Sequence, residues 1–150
     1  LSSVVTNEVH ISLMIWGAIS IIIGGTLLGD EVISFLYGAK FPGAPQIFKI
    51  HIWVSLPVFW GTAWGMWMLA IQKQKYVVWM QIINAIFILS FEFVLIPRLG
   101  ISGAAYSLVI GSYIALVFMV LAYQPKEGLQ LFWKAFNPKN ILEVIRYSKA

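Results

Sequence analysis

Residues 99–125 read LGISGAAYSLVIGSYIALVFMVLAYQP and contain no charged side chain. A helix needs about 20 predominantly apolar residues to cross the hydrocarbon layer of a membrane, and this stretch exceeds that length. Small residues recur within it at four-residue spacing, which places them on one face of a helix. The stretch therefore predicts a transmembrane helix with one face suited to close packing against another helix.

Three other charge-free stretches, residues 9–29, 50–72 and 76–91, repeat this pattern along the chain. The last of them is long enough to span a membrane only if Glu92 is tolerated near its end, which carries the helix on to residue 96. None alternates apolar with polar residues, as the strands of a membrane barrel do. We therefore predict an all-α integral membrane protein whose four transmembrane helices lie near residues 10–36, 47–72, 76–96 and 101–124.

The composition supports this class and excludes others. The chain is 60% hydrophobic and 11% charged, whereas soluble domains are about half apolar and a quarter charged. Its net charge of +4 comes from basic residues at the ends of the spans and in the tail. They form no single basic cluster, so we predict no nucleic-acid partner. The absence of cysteine excludes disulfides and thiolate metal sites.

The basic residues are unevenly divided between the two predicted sides of the membrane. Lys73, Lys75 and five residues of the tail give seven on one side, against three on the other. Cytoplasmic loops carry the excess of Lys and Arg, so we place both chain ends in the cytoplasm. The tail, residues 126–150, has apolar residues at helical spacing and is predicted to be amphipathic, with its first part lying in the inner interface.

The start of the chain led us to expect a piece of a longer protein. The sequence begins at Leu1 and enters its first predicted span near residue 10, with no basic segment or cleavage site before it. Such a start does not resemble a secretory signal peptide. We therefore expect residues 1–125 to be the C-terminal transmembrane region of a larger membrane protein.

Proline and glycine residues in the spans predict kinks and close helix contacts. Pro57 removes a backbone donor from the second span and would kink it there, as pivots of transporters do. Small residues spaced by four allow helix backbones to approach each other where lipid provides no hydrophobic drive. The predicted hinge and packing residues are Pro57, Gly61, Gly65, Gly103 and Gly111.

No catalytic constellation is recognisable, and we predict neither an enzyme nor a metal site nor a cofactor. The remaining candidates are polar residues at or within the spans, because polar groups in lipid are costly and usually face protein or water. They are His51, Glu92, Asn84 and Arg98, as candidates for a substrate or ion path.

Each of these candidates also has a structural interpretation, which we favour. His51 is either a titratable or ligand-binding imidazole or an interfacial histidine bonded to a loop carbonyl. Glu92 either faces a transport cavity or pairs with Arg98 across the short turn. Asn84 sits mid-span, where an amide more often joins helices than contacts a ligand.

Two segments resemble one family of bacterial membrane proteins. LYGAKFPGAPQIFKIHIWVSLPVFWG, residues 36–61, and LIPRLGISGAAYS, residues 95–107, are similar to segments of polysaccharide flippases that translocate O-antigen repeat units. These belong to the multidrug/oligosaccharidyl-lipid/polysaccharide exporter superfamily. Flippases of this branch often carry Asn at the position of Glu92 and Tyr at that of Phe41.

The resemblance implies a transporter of roughly twelve helices in two lobes, like those of the multidrug and toxic compound extrusion transporters, of which this chain is the last third. The implied activity is flipping of a polyprenyl-diphosphate-linked oligosaccharide across the bacterial inner membrane for surface polysaccharide, lipopolysaccharide included, by alternating access and with ion coupling. The implied partners are this substrate, membrane lipids, the remaining helices and other polysaccharide assembly proteins.

Three other functions remain open on the sequence. A multidrug/cation antiporter of the same superfamily would share the fold. A membrane-embedded polysaccharide polymerase or ligase would be expected to carry a large Arg-rich outer loop, whereas the outer loops here are short and hold one arginine, Arg98. A membrane scaffold without transport activity is the third.

Overall fold

The computed structural model describes residues 2–37, 41, 43–123 and 136, without the side chains of residues 2–10 and 123. In this part of the chain all regular structure is helical. The elements in chain order are α1 (Ser2–Tyr37), α2 (Ala44–His51), a 3₁₀ turn (Ile52–Val54), α3 (Ser55–Ala70), α4 (Gln74–Leu99) and α5 (Ile101–Tyr123).

Three helical segments are long and apolar enough to cross a membrane. They are Ile11–Tyr37 within α1, Gln74–Leu99 and Ile101–Ala122. Their lengths of 27, 26 and 22 residues correspond to about 33–40 Å at about 1.5 Å per residue, which covers a hydrocarbon core of about 30 Å. The prediction of a membrane-embedded helical protein is confirmed at this level.

The second predicted span, residues 47–72, is not one uninterrupted helix. It consists of α2, the 3₁₀ turn and α3, although Ile52 and Ser55 keep right-handed helical dihedral angles through the break. Pro57 is the third residue of α3 and cannot donate to the carbonyl of Trp53 four residues before it. The loss of this bond explains why the helix tightens into a 3₁₀ turn immediately before the proline.

The helices pack as two hairpins. The first hairpin joins α1 to α2 and α3, and the second joins α4 to α5, whose mutual contact is the most extensive in the molecule. The hairpins meet mainly where α2 lies against α5, whereas α3 makes few contacts with α4 or α5. A buried apolar cluster holds α1 to α3 and consists of Ile11, Ile15, Trp60, Ala63, Trp64 and Met68.

The second hairpin depends on glycines of α5. A Cβ added at Gly103 would collide with the backbone of Leu95 and Ile96, and one added at Gly111 would lie 2.8 Å from the Cα of Ile88. Real Cβ atoms essentially never lie so close to backbone atoms. At these two positions α5 therefore lies against α4 with no space for a side chain.

The turn of the second hairpin is shorter than predicted. We expected the helix to end at residue 96, but α4 continues through Pro97 to Leu99. Gly100 is the only residue between α4 and α5. Its φ of +59° is one that residues other than glycine rarely adopt. Pro97 has no N–H to donate to the carbonyl of Phe93, so one bond is missing from the last turn of α4.

The predicted amphipathic tail, residues 126–150, lies outside the described residues except for Phe136. That side chain is partly buried and packs against the apolar cluster between α1 and α3.

Candidate functional site: a polar cavity inside the bundle

A partly open cavity of about 190 Å³ lies between α3, α4 and α5. It occupies the half of the bundle nearer the turn between α3 and α4, because its α5 residues come from the second half of that helix and its α4 residues from the first. The lining residues are Pro57, Val58, Trp60, Gly61, Thr62, Trp64, Met80, Gln81, Asn84, Ser112, Leu116, Met119 and Val120.

The cavity lies beside the break in the second helical segment. Before the break α2 contacts both α1 and α5, whereas after it α3 packs mainly on α1 and makes few contacts with α5. A proline-associated break lets a helix change direction at this point. The divergence of α3 from α5 leaves the space that Pro57 and Gly61 border.

Four uncharged polar side chains face this space: Thr62, Gln81, Asn84 and Ser112. Gln81 and Asn84 are three residues apart on α4 and therefore share a face. Thr62 donates to the carbonyl of Val58 at 2.8 Å. Among the described residues, the side chains of Gln81, Asn84 and Ser112 make no hydrogen bond, so their polar atoms are available to a ligand or to water.

Ser112 is the most enclosed of the four. Its exposed fraction is 6%, although it borders the cavity. Ser107, five residues before it on α5, donates to the carbonyl of Gly103 at 2.7 Å. Ser112 makes no such bond, and its hydroxyl is not fully enclosed. A ligand or water in the cavity can therefore bond to it.

Two tryptophans form the apolar wall. Trp60 and Trp64 stack with their ring centroids 6.1 Å apart and their planes inclined by 22°. They are only 4% and 2% exposed, because their rings pack into the cluster with α1. These rings therefore pack between helices, and little of either ring is exposed for stacking on a sugar.

Tyr113 links α5 to the break in the other hairpin. Its hydroxyl donates to the carbonyl of Trp53 at 3.1 Å. In an uninterrupted α-helix this carbonyl would accept the backbone N–H of residue 57, which is a proline. Tyr113 therefore satisfies the acceptor that Pro57 leaves free.

The Tyr113 hydrogen bond also separates two spaces along α5. Ser112, Leu116 and two further residues of α5 border the cavity. Tyr106 and Val109 border an open groove on the other side, together with Lys49 and Trp53. Tyr113 and Trp53 join the hairpins between these two spaces.

Of the four predicted path residues, only Asn84 lines the cavity. His51 is exposed at the end of α2, and Arg98 is exposed in the last turn of α4. Glu92 is partly buried on α4, about 12 Å along the helix from Asn84 at about 1.5 Å per residue. The structure does not bring these four side chains together.

The expected Glu92–Arg98 contact is absent. An ion pair of the described residues joins Lys49 to Asp30 instead, with an N–O distance of 2.5 Å. Because α4 continues to Leu99, Glu92 and Arg98 are six residues apart on one helix, which places them about 120° apart around its axis. The turn at Gly100, which was expected to lie between the two residues, follows both of them.

The glycines predicted to pack helices fall into two groups. Gly103 and Gly111 lie against the α4 backbone, whereas an added Cβ at Gly61 would meet no atom within 4 Å. Gly65 is buried, but its nearest neighbour would be the Val77 side chain at an ordinary 3.9 Å. Neither Gly61 nor Gly65 thus marks a close backbone approach in the described structure.

Gln81, Ser112 and Tyr113 are the site residues that we did not predict. The spacing of Gln81 and Asn84 was a readable signal, since residues three apart share a helix face. Ser112 had a weaker signal, as one of several small residues of α5. Tyr113 had none, because its partner is 60 positions away in sequence.

The described residues contain no group of three His, Asp or Glu side chains able to hold a metal ion. Of the described residues that line the cavity, none is charged. The arrangement is therefore suited to hydrogen-bonding an uncharged group within an apolar bundle. Comparison with protein-family models, with curated protein sequences and with solved structures finds no match to this chain.

Proposed function

We propose that this chain is the C-terminal part of a bacterial inner-membrane flippase, which moves a polyprenyl-diphosphate-linked oligosaccharide from the inner to the outer leaflet. The observation that carries the proposal is the cavity between α3, α4 and α5, where Gln81, Asn84 and Ser112 offer hydrogen bonds inside an apolar bundle. Polar groups at membrane depth usually mark a substrate path or a packed interior. The resemblance of residues 36–61 and 95–107 to polysaccharide flippases supplies the substrate class.

Alternating access fits the contrast between the two hairpins. Transporters of this kind move one helical group against another around a site near the midplane. In our proposal α2 and α3 move relative to α4 and α5, with Pro57 as the pivot and the Tyr113–Trp53 hydrogen bond as the closed contact. No nucleotide-binding motif occurs in the sequence, so an ion gradient is the proposed source of energy.

The proposed architecture is four spans, with α2 and α3 together forming the second and both ends in the cytoplasm. The cavity would then open towards the cytoplasmic side, where Lys73 lies in the turn between α3 and α4 and Lys75 in the first turn of α4. The remaining helices of a two-lobed, roughly twelve-helix transporter would cover α4. That helix has no buried residue, and its Phe93 is 82% exposed.

A cation antiporter is the main alternative within transporters. Such a protein needs a carboxylate facing the cation path, because an uncompensated cation in an apolar site is costly. The described lining of the cavity contains no Asp or Glu, and Glu92 lies outside it. These observations favour the lipid-linked sugar over a cationic drug.

The proposal is tested by deleting the gene and measuring surface polysaccharide together with its lipid-linked intermediates. We expect loss of the surface polymer and accumulation of repeat units on the inner leaflet, with recovery when the wild-type gene is returned. A strain producing Asn84→Leu should insert the protein normally but recover little polymer.

Normal surface polymer after deletion, in a strain with no redundant flippase, would refute the proposed transport. Orientation is checked separately with single cysteines, because the chain has none of its own. Labelling of Gln74→Cys from outside intact cells would refute the cytoplasmic placement of the turn between α3 and α4.

A further inference from the structure

The cavity has a chemical preference of its own. Gln81 and Asn84 each offer an amide N–H₂ donor and a carbonyl acceptor, and Ser112 offers a hydroxyl that donates and accepts. A ligand that satisfies all three needs both donors and acceptors. Hydroxyl and acetamido groups meet this requirement, whereas a phosphate offers mainly acceptors.

The lack of charge around the cavity also favours a neutral ligand. Its described lining includes no Lys, Arg or His, so a diphosphate placed there would have no countercharge. Transfer of an uncompensated anion into apolar surroundings costs far more than transfer of a neutral polar group. The described lining therefore favours the neutral part of a ligand over its diphosphate.

The cavity admits a group much larger than a water molecule. Its volume is about 190 Å³, whereas one water molecule requires roughly 10–15 Å³. One small ring with its hydroxyl groups is of suitable size. Apolar side chains of α4 and α5 complete the lining of the cavity, among them Met80, Leu116 and Met119.

We propose that the cavity between α3, α4 and α5 is a subsite for one uncharged sugar unit, held by Gln81, Asn84 and Ser112, while the diphosphate stays outside it. This inference rests on the proposed function for its choice of ligand. It assigns recognition of the sugar to this chain, and leaves recognition of the diphosphate to groups elsewhere.

Protection of a single cysteine tests the subsite. Because the chain has no cysteine, Ser112→Cys places one thiol in the cavity wall. Its reaction with a small thiol reagent is followed in membrane vesicles from cells that produce the protein. The added probes are free N-acetylglucosamine, free glucose and inorganic pyrophosphate.

We expect the reagent to reach Ser112→Cys and a neutral sugar to slow the reaction. Slowing of about tenfold is expected when the sugar is at about ten times its dissociation constant. Pyrophosphate should leave the rate unchanged. Adding Asn84→Leu should abolish the protection by sugar but leave the labelling itself.

Two further variants keep the test decisive. Ser107→Cys is the matched control on the same helix, fully buried against its surroundings, and should not react. Gln81→Cys replaces Ser112→Cys if the latter is not inserted, because Gln81 borders the same cavity and is more exposed.

Absence of protection by either sugar, or stronger protection by pyrophosphate, would overturn the subsite. The proposed function is judged separately, by whether the wild-type gene restores surface polymer in the deletion strain. A chain that restores polymer but is not protected by sugar would keep the transport proposal and remove the subsite.

Discussion

The two hairpins of this molecule use opposite means to hold their helices. In the second hairpin, Gly103 and Gly111 bring the backbones of α4 and α5 into direct contact, and one residue connects the helices. In the first, α3 is separated from α2 by a 3₁₀ turn beside Pro57, and it leans on α1 through side chains. Backbone contact resists change, whereas side-chain contact beside a broken helix allows it.

This difference gives the hairpins different roles in our account. The second hairpin is the fixed wall that presents Gln81, Asn84 and Ser112 to the cavity. The first supplies the element that moves, and Tyr113 bridges the two through the carbonyl of Trp53. Substitutions in each hairpin should therefore have different effects.

The largest effect is expected from Gly103→Val. The new side chain would collide with the α4 backbone at Leu95 and Ile96. Overpacking by side chains costs about 1–3 kcal/mol, and we expect at least the upper end of this range, because backbone atoms cannot rotate away. Most of the inserted, monodisperse protein should be lost in size-exclusion chromatography.

Gly61→Val is the matched control for Gly103→Val, since an added Cβ at Gly61 meets no atom within 4 Å. It should be inserted at close to the wild-type level. Equal loss of protein in the two variants would contradict the fixed hairpin.

Next in size is the effect of Ser112→Ala and Asn84→Leu on transport. Each removes a hydrogen-bonding group from the cavity, and a hydrogen bond contributes about 0.5–1.5 kcal/mol. The rate of flipping should fall by about two- to tenfold per substitution, since 1.4 kcal/mol is a factor of ten. Appearance of repeat units in the outer leaflet measures this rate, with amounts normalised to inserted protein.

Ser90→Ala serves as the control for the cavity substitutions. The Ser90 hydroxyl donates to the carbonyl of Ile86 in its own helix, outside the cavity. Its removal should leave flipping unchanged. A similar loss in Ser90→Ala would mean that the cavity has no special role.

A smaller effect is expected at the bridge between the hairpins. Tyr113→Phe removes the 3.1 Å bond to the Trp53 carbonyl, and hydrogen bonds between membrane helices average about 0.6 kcal/mol. Pro57→Ala restores a backbone N–H that can pair with the same carbonyl. In that background Tyr113→Phe should cost nothing, which a double-mutant cycle of unfolding free energies measures.

Additive losses in this cycle would show that Tyr113 does not act through the acceptor freed by Pro57. The Pro57→Ala variant also distinguishes an effect on stability from an effect on the proposed helix movement. If Pro57 is the pivot, Pro57→Ala should slow flipping even though it does not destabilise the protein.

The smallest effect is expected from Glu92→Gln. This carboxylate neither pairs with Arg98 nor lines the cavity. Flipping and the amount of inserted protein should both remain close to wild type across the working pH range. Loss of flipping with normal insertion would instead assign Glu92 to proton coupling, and loss of insertion in both Glu92→Gln and Arg98→Gln would revive the structural contact.

The sequence predicts the helices well because a long run of uncharged, apolar residues is typical of a helix that crosses a membrane. The ends of α1, α4 and α5 fall within a few residues of their predicted places, apart from the start of α1 at Ser2 and the extension of α4 to Leu99. Pro57 predicts a kink in the second span, but the sequence could not predict that the Tyr113 hydroxyl of another helix bonds the Trp53 carbonyl there. Nor could it tell Gly103 from Gly61, since both lie at similar spacing and only the neighbouring backbone differs.

The site was less predictable than the fold. Asn84 was found because an amide in mid-span is conspicuous, but His51, Glu92 and Arg98 were chosen by the same rule and lie elsewhere. A polar side chain within a membrane span needs a hydrogen-bonding partner from protein or water. Which groups share a cavity depends on how α3 diverges from α5, and this is a property of packing.

Measuring two distances by pulsed electron paramagnetic resonance tests the central claim, movement of α3 against a fixed α4–α5 hairpin, most directly. Met66 on α3, Ile86 on α4 and Val117 on α5 are exposed at 57%, 56% and 52% and can carry spin labels. We predict two populations of the Met66–Ile86 distance, whose ratio shifts when lipid-linked substrate is added, and one unchanged Ile86–Val117 distance. A single Met66–Ile86 distance that does not respond to substrate, or an Ile86–Val117 distance that changes with it, would contradict the account.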